Sequence, residues 1–176
     1  HTRYARDWSS DVCSSDLERP IFDAFVARMA AAAQGFKPGV TGDRAYLSPL
    51  ISAEHREKVM GYYRRAVEDG ATVVTGGGVP EISGAEAGGF FVEPTLWIDV
   101  AHGDTVMREE IFGPCCGILP FDSEDEVIAL ANDTVYGLCA SVWTENLSRG
   151  HRVAAAMEVG VCWVNSWFLR DLRTAF

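Results

Sequence analysis

Three apolar runs at 115–121, 138–143 and 161–164 are separated by two stretches with helical spacing. That order of strand, helix, strand, helix, strand leaves the last third of the chain few architectures. Strands joined through helices run parallel, cross over with a right hand, and need helices to cover the sheet. The expected fold class is therefore α/β, a parallel sheet flanked by helices. The first connecting helix, 123–132, opens with a capping box in which Ser123 is followed three residues on by Glu126. The second, 147–159, places Val153, Ala156 and Met157 on one side. Ligands of open α/β sheets sit beyond the carboxyl ends of the strands, so Asn165 and the residues after it are expected to face a site.

Upstream, a helix is expected from Pro20, with Ile21, Phe25 and Met29 on one face, backed by Phe22 and Val26 and ended by Gly35 and Pro38. A second runs from Ser52 as N-cap to Gly70, with an apolar stripe of Val59, Tyr62, Tyr63, Ala66 and Val67. Residues 71–75 read as a strand, Gly76-Gly77-Gly78 as a turn, and 90–98 as an extended segment interrupted by Pro94. The triple glycine has neither the Gly-Lys-Ser/Thr ending of a phosphate loop nor the helix start of a dinucleotide fingerprint, so a plain turn is expected. A length of 176 residues fits one domain. Residues 1–17, HTRYARDWSSDVCSSDL, show no period and differ sharply in composition from the rest of the chain. They are expected to be an unfolded, non-native leader, since 7–17 resembles a translated sequencing adapter; the natural sequence then begins near Glu18 and the domain covers 18–176.

With 48% hydrophobic and 23% charged residues the chain is globular in composition, and its net charge of -10 argues against a nucleic-acid partner. No run is long enough to cross a bilayer, and no apolar export signal precedes the first helix, so no membrane partner and a cytoplasmic location are expected. Five cysteines, an odd number without framework spacing, read as reduced thiols. Cys13 has no His or Lys beside it to lower its pKa, and Cys115, Cys116 and Cys162 stand in apolar strands where cysteine behaves as a small hydrophobe.

The run Val106-Met107-Arg108-Glu109-Glu110-Ile111-Phe112-Gly113-Pro114 is ambiguous by itself. Two acids before Ile-Phe-Gly-Pro read equally as a solvated loop leading to a turn. Six separate pieces, in order, decide otherwise: ERPIFDAFV, SPLISAEHREKV, GGFFVEPTLWIDV, REEIFGP, FDSEDEVIALANDTVYGL and VCWVNSWF. Together they resemble the aldehyde dehydrogenase superfamily over residues 18–176, as part of its catalytic domain. The last stretch, NSWFLRDLRTAF, resembles the branch that oxidises muconic semialdehydes, either 2-hydroxymuconate or 2-aminomuconate semialdehyde.

The resemblance implies oxidation of an aldehyde through a cysteine thiohemiacetal and thioester, with hydride passing to a nicotinamide cofactor. NAD is expected, with NADP left open because the residues that read the adenosine ribose are not in this chain. It implies that Glu110 bonds the nicotinamide ribose hydroxyls and Phe112 packs on the ring, suiting a two-oxygen acceptor and a flat apolar surface. Leu138 and His55 correspond to positions near the cofactor; packing and a solvated helix surface are the plain readings of each. Asn165, Trp167 and Phe168 correspond to the substrate loop, with Arg170 as clamp for a substrate carboxylate and Arg173 as its alternative. Pairing of either arginine with Asp171 is the competing reading.

No catalytic residue is assigned. The chain has no segment like those carrying the family's nucleophilic cysteine and base glutamate, and no cofactor-binding domain, so the isolated chain is expected to be an inactive internal fragment. The partner implied is a small semialdehyde, with the full-length protein a homo-oligomer. The alternatives are a stand-alone α/β module that binds a nucleotide or a partner without catalysis, and a thiol enzyme using Cys115 or Cys116, which would need a nearby His.

Overall fold

The structure, a computed structural model, describes residues 2–6, 14–39, 46–169, 171 and 173. In chain order its elements are β1 (Thr2–Arg6), β2 (Ser14–Glu18), α1 (Phe22–Gln34), β3 (Lys37–Pro38), β4 (Tyr46–Leu47), α2 (Ala53–Glu68), β5 (Thr72–Thr75), β6 (Thr95–Ile98), α3 (Thr105–Arg108), β7 (Cys115–Phe121), α4 (Glu124–Asn132), β8 (Cys139–Thr144), α5 (Leu147–Ala156) and β9 (Val161–Val164). Seven strands form one sheet in the order β5-β6-β7-β2-β1-β8-β9, and β3 pairs with β4 apart from it. β6, β7 and β2 pair in parallel, as do β8 and β9; β5 and β1 run against their neighbours. The expected parallel sheet is therefore present with two antiparallel strands added.

Local chemistry places the helix starts. Ser52 Oγ accepts the His55 amide at 3.1 Å and starts α2. At α4 the capping box closes both ways, Ser123 Oγ accepting from the Glu126 amide and Glu126 Oε2 from the Ser123 amide. α5 stops at Ala156, earlier than its apolar pattern suggests, because another side chain takes over the backbone there. Asn132 Nδ2 donates to the Ala156 carbonyl at 2.8 Å and Asn132 Oδ1 accepts from the Glu158 amide at 3.0 Å.

Strand alternation divides the core between the two faces of the sheet. On one face Trp97, Cys115 and Leu119 pack against Val59 and Tyr63 of α2 and Met107 of α3. Phe121 and Val142 continue that face under Val127 of α4 and Val153 of α5. On the other, Leu17, Leu96, Cys116 and Ile118 pack against Val26, Ala30 and Ala33 of α1.

The expected unfolded leader needs correction, since Thr2–Arg6 and Ser14–Glu18 are both strands of the sheet. β2 lies parallel to β7, leads straight towards α1, and buries Leu17 completely. Its placement is made by the backbone: β7 offers an open row of donors and acceptors, and any extended segment tethered to α1 can fill it. The side chains fit less well, because Ser14, Ser15 and Asp16 are buried at the same level as apolar neighbours.

The triple glycine is a turn, as its lack of phosphate-loop context implies. Gly77 N donates to Thr95 Oγ1 at 2.9 Å and Gly78 N to Glu93 Oε2 at 3.0 Å. Gly76 has φ +77, and an added Cβ there would lie 2.2 Å from the Pro94 carbonyl oxygen. Gly76→Ala should therefore lower unfolding stability by about 1–3 kcal/mol in urea titration, combining a left-handed backbone with a backbone clash. An unchanged midpoint would mean that the turn refolds around the methyl group.

Candidate functional site

The signature run lies at the amino end of β7, on the side of the sheet covered by α2. Its residues alternate in fate: Ile111 is buried against Val59 and Tyr63, whereas Phe112 is 54% exposed. Gly113 permits this close approach, because a Cβ there would stand 2.9 Å from the Val59 side chain. Pro114 has no amide to donate, yet its carbonyl accepts from Thr95 N at 2.9 Å and so opens the parallel pairing of β6 with β7.

The two acids separate here. Glu109 is fixed, accepting at Oε2 from the Tyr62 hydroxyl at 2.8 Å. The Glu110 carboxylate has no partner among the described residues, although its backbone carbonyl is held by Lys58 Nζ at 3.1 Å. Phe112 comes two residues later with φ +60, a backbone region that costs a bulky residue about 1–3 kcal/mol. Its ring stands 6.4 Å from that of His55 on the first turn of α2. Glu110, Phe112, His55 and Lys58 thus form one surface group, Phe112 and Lys58 exposed and Glu110 and His55 half-buried, with an unpaired carboxylate beside a flat apolar face.

Burial, then the bond to Glu109, pushes the Tyr62 hydroxyl up to about 12 from its ordinary value near 10. With the folded-state pKa raised, this group's contribution to stability is complete below about pH 10 and is lost as pH rises through about 12. The chain should therefore lose stability across that window more steeply than Tyr62→Phe, measured by urea midpoints at several pH values. Parallel curves would contradict the Tyr62–Glu109 contact.

Leu138 is half-buried just ahead of β8 and joins this group by no described contact; its carbonyl accepts from Val161 N at 3.3 Å and opens the β8–β9 pairing. Its plain reading, packing at a strand entry, accounts for what is seen.

The second group lies just after β9. Asn165 has φ +52 and Phe168 φ +57, and between them the chain turns back over the sheet. Ser141 and Trp163 are register partners, so both side chains project from one face. Each holds the returning chain: Ser141 Oγ donates to the Ser166 carbonyl and Trp163 Nε1 to the Leu169 carbonyl, both at 2.8 Å. The rings of Trp163, Trp167 and Phe168 form a cluster with centroids 5.5 to 6.5 Å apart. Val142 and Cys162, pointing the other way, pack with α4 and α5, so the aromatic loop covers the face opposite those helices.

Three of the four non-glycine residues with positive φ among the described residues are Phe112, Asn165 and Phe168; the fourth is Asp99. Strain of this kind concentrates where surrounding structure holds a working geometry. Asn165, expected in the substrate loop, has its side-chain amide engaged by the neighbouring strand. Its Nδ2 donates to the Thr144 carbonyl and its Oδ1 accepts from the Thr144 amide, both at 2.8 Å, so its amide brackets β8 to the loop. Arg173 is bound by Asp171 through Nε at 2.9 Å and Nη2 at 2.6 Å, the competing pairing foreseen for it. Arg170 lies outside the described residues.

Cys115, Cys116 and Cys162 lack the setting of a nucleophile. Cys115 and Cys116 are buried, burial holds the Cys115 thiol far above its usual range, and it raises Cys162 as well. Lys58, Ser141 and Trp163 were not singled out from sequence, and Tyr62 was named only for the apolar stripe of its helix. Lys58 falls three residues after His55 on one helix face, a spacing that signals it; Tyr62 and Ser141 join partners 47 and 25 residues away, and Trp163 meets Leu169 only because the chain turns back at Asn165.

A family model, the aldehyde dehydrogenase family, matches residues 16–176. The chain belongs to that family. A 2-hydroxymuconic semialdehyde dehydrogenase of Pseudomonas sp. (strain CF600) is 60% identical over 161 residues, covering 91% of this chain and 33% of the relative. A 2-aminomuconic 6-semialdehyde dehydrogenase of Pseudomonas sp. is 51% identical over 163 residues, with the same coverage of 91% and 33%. The NAD+ complex of an aldehyde dehydrogenase from Bacillus cereus superposes with a TM-score of 0.85 at 35% identity, over 92% of this chain and 32% of that one. The chain spans about a third of the length of the curated relatives it matches. No helix of the described residues is long and apolar enough to cross a membrane. Within this aldehyde dehydrogenase segment the two groups approach from opposite faces of the sheet, with β8 and β9 three and four strand spacings from β7, about 14 to 19 Å.

Proposed function

We propose that this chain is part of an NAD-dependent aldehyde dehydrogenase that oxidises a semialdehyde bearing a carboxylate, of the muconic type. The free carboxylate of Glu110 beside exposed, left-handed Phe112 carries the reading. A nicotinamide ribose offers two hydroxyl donors and a flat ring, and this pair offers a two-oxygen acceptor and a flat apolar face, so the residues fit the group. When bound, the cofactor supplies a hydride acceptor. Glu110 orients the ribose, Phe112 supports the ring, His55 backs Phe112, and Lys58 holds the Glu110 backbone carbonyl. Trp167 and Phe168 supply an apolar wall for an unsaturated chain from the opposite face of the sheet, with Asn165 bracing the loop.

Arg170 is the proposed clamp for the substrate carboxylate, since Arg173 is engaged by Asp171. Cys115, Cys116 and Cys139 are buried and Cys162 is half-buried, with burial raising the thiols of Cys115 and Cys162, so none is assigned as the nucleophile and the isolated chain is proposed to lack dehydrogenase activity. Reduced thiols agree with a cytoplasmic setting. The whole protein is proposed to be a homo-oligomer.

A chimera tests the reading, with residues 16–176 replacing the matching third of the Pseudomonas sp. (strain CF600) relative. Its kcat/KM with NAD should favour a carboxylated unsaturated semialdehyde over propanal, and Arg170→Ala should raise KM for the carboxylated substrate about 10–100-fold while leaving that for propanal unchanged. Equal kcat/KM for the two aldehydes would reject the substrate class. Equal effects of Arg170→Ala on both would reject the clamp.

A further inference from the structure

Trp163 buttresses the aromatic loop, and its position gives it a larger part. It stands in an edge strand, where a side chain needs only to cover the sheet; instead both of its chemical features are used on one segment. The indole N–H donates to the Leu169 carbonyl at 2.8 Å, and the ring lies 5.5 Å from Trp167 and 6.5 Å from Phe168. The carbonyl that Trp163 holds closes the returning segment just after Phe168, so the bond fixes the far end of the aromatic wall. Ser141, its register partner, holds the Ser166 carbonyl, and the two Asn165 bonds to Thr144 complete the bracing. The loop is thus latched at both ends, with strained backbone at Asn165 and Phe168 kept in place by the latches.

We infer that Trp163 is a positioning residue that determines substrate specificity, holding the Trp167–Phe168 wall in the geometry that accepts a planar, unsaturated, carboxylated chain. The substrate class rests on the proposed function; the latch itself does not. A ring fixed at its N–H supports a flat wall at little entropic cost on binding, because its rotamer is already set. A short neutral aldehyde uses neither the wall nor the clamp and is indifferent to the latch.

Two experiments test this. In the unaltered 176-residue chain the Trp163 indole N–H should exchange with solvent at least tenfold more slowly than that of exposed Trp167, and Trp163→Phe should speed chymotryptic cleavage at Trp167 and Phe168 without lowering Tm. Equal exchange of the two indoles, or unchanged cleavage, overturns the latch. In the chimera, Trp163→Phe should raise KM for the unsaturated carboxylated semialdehyde about fivefold, the worth of one hydrogen bond, with kcat and the KM for propanal unchanged. Equal rises for both substrates overturn the specificity role and leave Trp163 a structural residue. Failure of the unaltered chimera to prefer the carboxylated aldehyde would instead reject the substrate class, while the exchange and cleavage measurements still decide the latch.

Discussion

Glu110→Gln in the chimera should lower the rate of NAD reduction about 10–100-fold, the usual worth of a charge-assisted hydrogen-bond pair, while leaving cysteine-dependent hydrolysis of an activated ester within about twofold. An amide keeps the size of the carboxylate but offers one acceptor oxygen where two hydroxyls need acceptors. Ester hydrolysis needs the thiol and no nicotinamide, so the two activities separate a cofactor role from a structural one. Glu109→Gln is the control, because Glu109 bonds Tyr62 and faces no ligand in the proposed arrangement. It should alter stability slightly and hydride transfer little. If both activities fell together in Glu110→Gln, or if Glu109→Gln had the larger effect on NAD reduction, the assignment of the second acid would fail.

Trp97 gives the largest expected effect on folding. It is 1% exposed, meets Tyr63 edge to face at 5.5 Å, and sits in the cluster that seats α2 on the sheet. Trp97→Ala should cost about 3–5 kcal/mol by emptying that position, a large share of the roughly 5–15 kcal/mol typical of a domain. Trp97→Phe should cost under about 1.5 kcal/mol. The indole N–H is buried with no hydrogen-bond partner among the described residues, so removing it offsets part of the lost packing. Urea titration of both variants measures the contrast, and equal losses would mean that the N–H finds a partner in solution. The position also matters for the site, since the same cluster buries Ile111 between Glu110 and Phe112.

What could be read from the sequence was whatever depends on neighbours. Ser123 and Glu126 announce α4 because a capping box is complete within a single turn, and the apolar runs of β7, β8 and β9 fix a sheet through their spacing alone. The end of α5 could not be read that way, because Asn132, at the end of the preceding helix, terminates it. The same limit governs the site. The residues of REEIFGP alone do not tell the two acids apart, and Glu110 was named only through the family resemblance; Tyr62, 47 residues from Glu109, distinguishes them physically by binding one and leaving the other free. Asn165 was visible as a loop residue after a strand, but its bracket to Thr144 appears only once β8 and β9 lie side by side. Trp163 read as one apolar letter in a buried strand, and only the return of the chain over β9 gives its N–H a partner. The leader misled in the opposite sense: its sequence has no strand period, yet backbone pairing beside β7 and β8 needs none.

A crystal structure of the chimera with NAD bound is the most direct measurement. It should place both Glu110 carboxylate oxygens at about 2.6–3.0 Å from the two hydroxyls of the nicotinamide ribose, with the Phe112 ring against the nicotinamide. A ribose bonded by other residues, with Glu110 turned to solvent, would contradict the cofactor-facing role of the signature run.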